Sequence, residues 1–293
     1  MGVTLLNRWR LPGWQWWSGL WLLVCLAMPA HASLLWQLEK DGKVHHLFGT
    51  IHISDPDVIR LPSHVESIVQ SASALVIEVL LDDATRQAIA ERTLLSSSTL
   101  KKVLGMELFN EVASAVKERG VPPSSLLRLK PWAVGLMLNV PTPSLEPVLD
   151  VHLQYRFADT QRPVHGLESI DEQLDIFDEL ALAEQIEFLK TSLAQHAEFE
   201  ATFNRMKTLY LAGDLEQIEQ FARTQSAKSA SSTMDKLMYR ILEERNHRMF
   251  ARVQSHLAQS GVLIAVGALH LPGQQGLLQM FRDAGYSVRA VAP

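Results

Sequence analysis

The sequence predicts an α/β fold, with a mixed sheet core built from both ends of the chain and a large helical middle region covering it. Three observations carry this reading. Branched aliphatic runs of strand length cluster within residues 34–79 and 262–291. Helical apolar spacing fills most of residues 83–259 between them. The 293 residues are 47% hydrophobic and 20% charged, which supplies a core and carries no bias towards disorder.

The amino-terminal residues read as a separate object. Asn7-Arg8-Trp9-Arg10 is basic, Trp14 to Met28 is apolar but for Gln15, Ser18 and Gly19, and Ala30-His31-Ala32 places small residues before a cleavage point. This is the pattern of a signal peptide, residues 1–32, cut after Ala32. The expected chain is exported, periplasmic in a double-membrane bacterium, and meets a membrane only through that uncleaved segment. Residues 33–293 are then a single domain. Without Arg8 and Arg10 it holds 25 basic residues against 32 acidic ones, net −7, which excludes a nucleic-acid partner. Cys25, the one cysteine, leaves with the segment, so disulfide scaffolds and cysteine zinc sites are excluded too.

The elements follow in order. Leu34 to Glu39 and Lys43 to Gly49 flank Asp41-Gly42, a hairpin signal. Pro62 to Ser73 has helical spacing, with Val65, Ile68 and Val69 on one face. Ala74 to Val79 is a buried strand holding one carboxylate, Glu78. Asp83–Leu95, Thr99–Leu104 and Glu107–Arg119 are helices, closed by Gly120, Pro122 and Pro123. Pro131-Trp132 opens an apolar helix to Leu138, proline being favoured in the first turn. After a loop from Pro141 to Pro147 come a helix, Val148–Phe157, and a short strand, Pro163–Glu168. Asp171 to Ala258 is helical, broken at Gly213-Asp214 and at Ser226–Thr233. Val262–Val266 is a second buried strand, Gln275–Ala284 a closing helix, and Tyr286–Val291 a last strand.

One pattern occurs twice. Leu47-Phe48-Gly49-Thr50-Ile51-His52 and Ala265-Val266-Gly267-Ala268-Leu269-His270 each join an apolar strand to Gly-x-x-His. Glycine after a strand permits a close backbone approach. The histidine then projects at the strand's end, where open α/β folds place ligands. Glu78 is costly to bury alone and needs a cation, a proton or donors. It is either a strand-end glutamate paired with an arginine, or the ligand or general base that completes a two-histidine, one-carboxylate site for a divalent ion. There is no His-Glu-x-x-His, no Gly-x-Ser-x-Gly and no phosphate loop to support another chemistry.

With Lys130-Pro131-Trp132, Gly166-Leu167-Glu168 and Arg245-Asn246, these motifs resemble the TraB/GumN family, which includes the Tiki proteases. The resemblance implies an α/β fold related to the erythromycin-esterase-like and haem-binding ChaN-like groups, and metal-dependent hydrolysis of peptide bonds. The expected function is an exported metal-dependent hydrolase, a peptidase acting on a peptide or protein. Its divalent ion (zinc, manganese and cobalt are not distinguished) is held by His52, Glu78 and His270. The rivals are a metal-independent acid–base hydrolase of the esterase kind, and a protein that binds a peptide or haem without turnover. Glu168 is expected to shuttle a proton, to orient a histidine or to sit as a helix N-terminal acid. Arg245 and Asn246 either neutralise charge developing on a substrate carbonyl or hold loops over the sheet.

Overall fold

Asp41 and Gly42 both take positive φ, 52° and 73°, the backbone of a two-residue hairpin turn that matches the twist of its strands. They join β1 (Leu35–Lys40) to β2 (Lys43–Thr50). The computed structural model describes residues 34–141, 146–229 and 231–292. The expected signal peptide lies outside the described residues, as do residues 142–145 of the expected loop.

Four further strands complete one sheet: β3 (Ala74–Ile77), β4 (Val164–Gly166), β5 (Val262–Gly267) and β6 (Ser287–Ala290). Their spatial order is β4-β3-β5-β2-β1-β6. The first four run parallel, while β1 is antiparallel to both β2 and β6. The expected mixed sheet from both ends of the chain is what forms. β5 is the central parallel strand, and Val262 to Val266 are all buried, which is why that segment reads as an unbroken apolar run.

Helices cover the sheet. Leu149, Leu153 and Phe157 from one helix, Met249 and Val253 from another, and Phe281 from a third pack into the core formed by β3 and β5. The helical middle region has apolar clusters of its own. One gathers Leu100, Val112, Val116 and Leu126; another gathers Trp132, Leu174, Phe188 and Leu237. Helix Pro131–Leu138 lies against helix Leu182–Gln195 at Gly135, where a Cβ would fall 2.7 Å from the Phe188 ring. Lys130 and Trp132 both donate to Asp178 Oδ1, at 2.6 and 3.0 Å. The Lys-Pro-Trp motif therefore anchors the start of this helix.

The segment expected to be helical from Asp171 also breaks before its expected breaks at Gly213-Asp214 and Ser226–Thr233. Helix Ile170–Asp178 stops, and helix Leu182–Gln195 begins after Ala181, whose N–H donates to Glu184 at 2.8 Å. A cap made by a glutamate three residues on needs neither Gly nor Pro. Helix Ser232–Tyr239 continues through a π turn, Arg240–Glu244, into helix Arg245–Val253. Among the described residues no helix is long and apolar enough to cross a membrane.

Candidate active site

The carboxyl ends of β2, β5, β3 and β4 lie side by side, and each carries a site residue or its support. Gly49 pairs with Val266 and Thr50 with Gly267, so the two Gly-x-x-His turns leave neighbouring strands one residue out of step. Ile77 pairs with Ala265 on one side and Gly166 on the other, which puts Glu78 at the same edge. The Glu168 N–H donates to the Glu78 carbonyl at 2.8 Å and locks the β4 end beside it.

Both motif glycines are there for space. A Cβ on Gly49 would stand 3.1 Å from the Ala268 Cα, because the second turn packs on the first. A Cβ on Gly267 would stand 3.3 Å from Glu78 Oε1, and the Gly267 N–H donates to that oxygen at 2.7 Å.

Glu78 is buried. Its Oε2 accepts from Arg245 Nη2 at 2.5 Å and from Gln173 at 3.4 Å, while Oε1 faces His270 Nε2 at 3.7 Å. Burial opposes the charge, yet His270, Arg245, His52 and the Gly267 amide together outweigh it and hold the carboxyl well below the usual range. Glu78 is a carboxylate at neutral pH.

The two histidines are held alike and charged differently. His270 is buried, and Nδ1 meets Asn246 Oδ1 at 2.7 Å. Asn246 donates its own amide to the Gln275 carbonyl at 2.7 Å, so its oxygen faces the ring. Nδ1 therefore carries the hydrogen and Nε2 keeps its lone pair. Burial pushes the His270 pKa down to about 4, against the pull of Glu78, so the ring is neutral at pH 7. His52 donates from Nδ1 to Asp150 Oδ2 at 2.9 Å, and Thr50 donates to Oδ1 of the same carboxylate at 2.6 Å. Asp150 pushes the His52 pKa up to about 9 against desolvation, so this ring is a cation at pH 7. The His52 side chain is 62% exposed, so water reaches its ring.

Behind this layer stands an ion network. Arg245 donates from Nε to Glu168 Oε2 at 2.9 Å, and Arg248 Nε lies 3.2 Å from Glu168 Oε1. The Glu168 side chain is 0% exposed. The π turn Arg240–Glu244 adds a residue to the helical repeat just before Arg245, and Arg245, Asn246 and Met249 are all buried beyond it.

The structure thus brings His52, Glu78 and His270 within one another's electrostatic reach at one sheet end. It assigns Asn246 to orienting His270. It gives Glu168 an arginine to orient rather than a histidine. Arg245 neutralises two carboxylates inside the protein and presents no free charge for a substrate carbonyl. Of the two readings of Glu78, its pairing with an arginine is observed. Asp150, Thr50, Gln173 and Arg248 are partners the sequence reading missed. Asp150 has only the signature of an acid in a first helical turn, which any helix favours.

By type alone, two imidazoles and a carboxylate suit a divalent transition ion. Each imidazole also has its Nδ1 held by a side-chain oxygen, the arrangement that orients metal-binding histidines. As they stand, no three His, Cys, Asp or Glu side chains among the described residues close around one point. Both oxygens of Glu78 are engaged, one by the Gly267 amide and one by Arg245.

The chain is similar to a "Metalloprotease TIKI homolog" of the sponge Amphimedon queenslandica, 24% identical over 319 residues, 89% of this chain and 62% of that relative. The chain thus spans less than two thirds of that protein's length. It is also similar to "Uncharacterized protein YbaP" of Escherichia coli (strain K12), 21% identical over 243 residues, 81% of this chain and 87% of the relative. The counterpart in Shigella flexneri matches equally. No solved structure matches. The family model described as "TraB/PrgY/gumN family" matches residues 34–290, which take in all six strands and both Gly-x-x-His turns. The fold and the paired turns are therefore those of a lineage, and the chain belongs to the TraB/PrgY/gumN family.

Proposed function

We propose that the chain is an exported, metal-dependent hydrolase of peptide or protein substrates, with His52, Glu78 and His270 as the reacting groups. One observation supports this: both histidines follow neighbouring strands with Nδ1 tied to a side-chain oxygen, which leaves Nε2 as the reactive ring atom of each, and His270 Nε2 faces the ionised Glu78 at 3.7 Å. The similarity to a protein named a metalloprotease supports the same reading.

His52 Nε2, His270 Nε2 and a Glu78 oxygen would hold a divalent ion, which supplies an activated water and a polarised carbonyl when bound. The chain's own residues do the rest. Asp150 and Asn246 fix the ring planes, so neither imidazole spends rotational freedom on binding. Arg245 keeps Glu78 ionised in a buried place, and Glu168 with Arg248 keeps Arg245 from turning away. The exposed His52 ring leaves its outer edge open to water and to a substrate.

A second reading has its own support. His52 is a cation and His270 a neutral base at pH 7, and opposed pKa shifts in one site mark an acid and a base. In that reading His270 takes a proton from water and His52 gives one to the leaving group, with no ion.

The test is metal analysis of protein purified without chelators, together with cleavage of a peptide library. About one equivalent of a divalent ion, and cleavage lost on chelation and restored by the ion, support the metal-dependent reading. Cleavage that survives chelation selects the acid–base reading. No cleavage with or without added metal overturns both.

A further inference from the structure

A cleft of about 740 Å³ opens next to the candidate site and is not explained by it. That volume is ample for part of a peptide. Asn246 and Leu269 belong to its wall. Asn246 is the residue that orients His270, and Leu269 directly precedes it. Met238, Leu242 and Pro272 give the cleft apolar surface.

The charges of its wall are one-sided. Glu219 and Arg223 pair with each other at 2.6 Å and cancel. Asp235 and Glu243 also line the cleft, are exposed, and make no salt bridge among the described residues. Between them stands Tyr239, 53% exposed, four residues from each. Asp235 and Tyr239 share a helix face. An exposed aromatic ring flanked by two free carboxylates suits one kind of group, a cation carried on an apolar stem. Anionic and nucleotide ligands meet the wrong charge here.

From this we infer that the cleft is the binding subsite for a cationic, partly apolar segment of the peptide substrate, with a lysine or arginine side chain between Asp235 and Glu243 against Tyr239. The inference rests on the hydrolase reading for its substrate, and adds the specificity. It makes the cleft wall a selector placed one residue from the reacting histidine.

The test separates binding from turnover. Three fluorescein-labelled hexapeptides of the full chain's substrate class are used: Ala-Leu-Lys-Leu-Lys-Ala, and its counterparts with Gln or Glu in place of Lys. Binding to the whole protein is read by fluorescence anisotropy, and product by mass spectrometry. The lysine peptide is expected to bind at least about tenfold more tightly than the glutamine peptide, and the glutamate peptide to bind most weakly. Asp235→Asn with Glu243→Gln should weaken the lysine peptide about tenfold and leave the glutamine peptide within twofold. Tyr239→Ala should weaken it by a further few-fold. The preference should shrink between 50 and 500 mM salt, because rim charges are screened. Thermal melts check that these exposed positions leave the fold intact. Equal binding of the lysine and glutamate peptides, no measurable binding of any of the three, or an unchanged lysine-peptide affinity in the double variant overturns the inference. Selective binding without product sustains the cleft's cation preference and sinks the hydrolase reading instead.

Discussion

His270 Nε2 stands 3.7 Å from Glu78 Oε1, beyond hydrogen-bond reach, although both groups are buried and face each other. The carboxylate is already satisfied by the Gly267 amide and by Arg245, and the imidazole by Asn246. The pair is thus held close and kept apart by third parties, so each keeps a lone pair turned towards the same space.

His52→Ala and His270→Ala should each abolish turnover, and with it metal retention if an ion is used, since three protein donors are the minimum for an open catalytic site. Glu78→Gln keeps the shape and removes the charge. If Glu78 is a ligand, metal content falls with activity. If it acts as base, metal stays and the rate drops by ~10²–10⁴-fold. Metal analysis and kinetics on the same preparations decide between the two, and full turnover in all three folded variants would falsify the site.

Asp150→Asn tests the orienting group of His52. The carboxylate is the chief reason the His52 pKa is about 9. Its loss should return the ring towards an ordinary value near ~6.5 and slow turnover by about 10–100-fold, as removal of an outer partner does. An NMR titration of the His52 ring follows the first effect. No change in its midpoint would remove Asp150 from the site.

Arg245→Met leaves two buried carboxylates, Glu78 and Glu168, without their shared cation. Breaking a buried pair from one side costs about 3–5 kcal/mol. Urea denaturation should show a loss of that size, partly recovered by Arg245→Lys. A loss under about 1 kcal/mol would mean that the network relaxes through Arg248, contrary to this account.

The pH dependence has a definite sign. The His52 pKa is raised, so the stability from its pair with Asp150 is fully present below about 6.5 and is lost as pH rises through about 9. The melting temperature should therefore fall across that window in the wild type and stay flatter in Asp150→Asn. In the metal-dependent reading, binding must also expel the His52 proton, so affinity rises about tenfold per pH unit up to 9. In the acid–base reading the rate is instead level between about 4 and 9 and falls outside those limits.

Gly267→Ala isolates position from charge. The backbone there has φ −50°, open to alanine, so the fold should hold. The new methyl stands 3.3 Å from Glu78 Oε1 and must push it. Turnover should fall about tenfold or more through misplacement alone, with a small change in melting temperature. Unchanged kinetics would mean that the position of Glu78 does not matter.

The strands and their motifs were legible because each is a local signal: alternating or continuous apolar runs, Asp-Gly at a hairpin, Gly-x-x-His at a strand end. The pairing of β2 with β5, between partners more than two hundred residues apart, has no local signal, and only the repeated Gly-x-x-His pattern points to neighbouring strands there. Glu78 announced itself as a charge in an apolar run. Asp150 did not, because helices favour acids in their first turn whether or not a histidine stands opposite. Arg245 and Asn246 were legible as a motif and not as roles. The π turn before them turns both into the core, and nothing in Arg240–Glu244 marks that turn in sequence. The break at Ala181 was hidden for the same reason, being made by a glutamate cap and not by a breaker residue.

The central strand of the sheet is also the last-made of the parallel four. Until Val262–Gly267 has been synthesised, the hairpin β1-β2 and the pair β3-β4 have no common neighbour, since β5 alone joins them. His270 follows only three residues later. The ends of β2 and β3, which carry His52 and Glu78, thus become neighbours only across β5. A product stopped short of Val262 lacks the strand that joins β2 to β3, and with it His270.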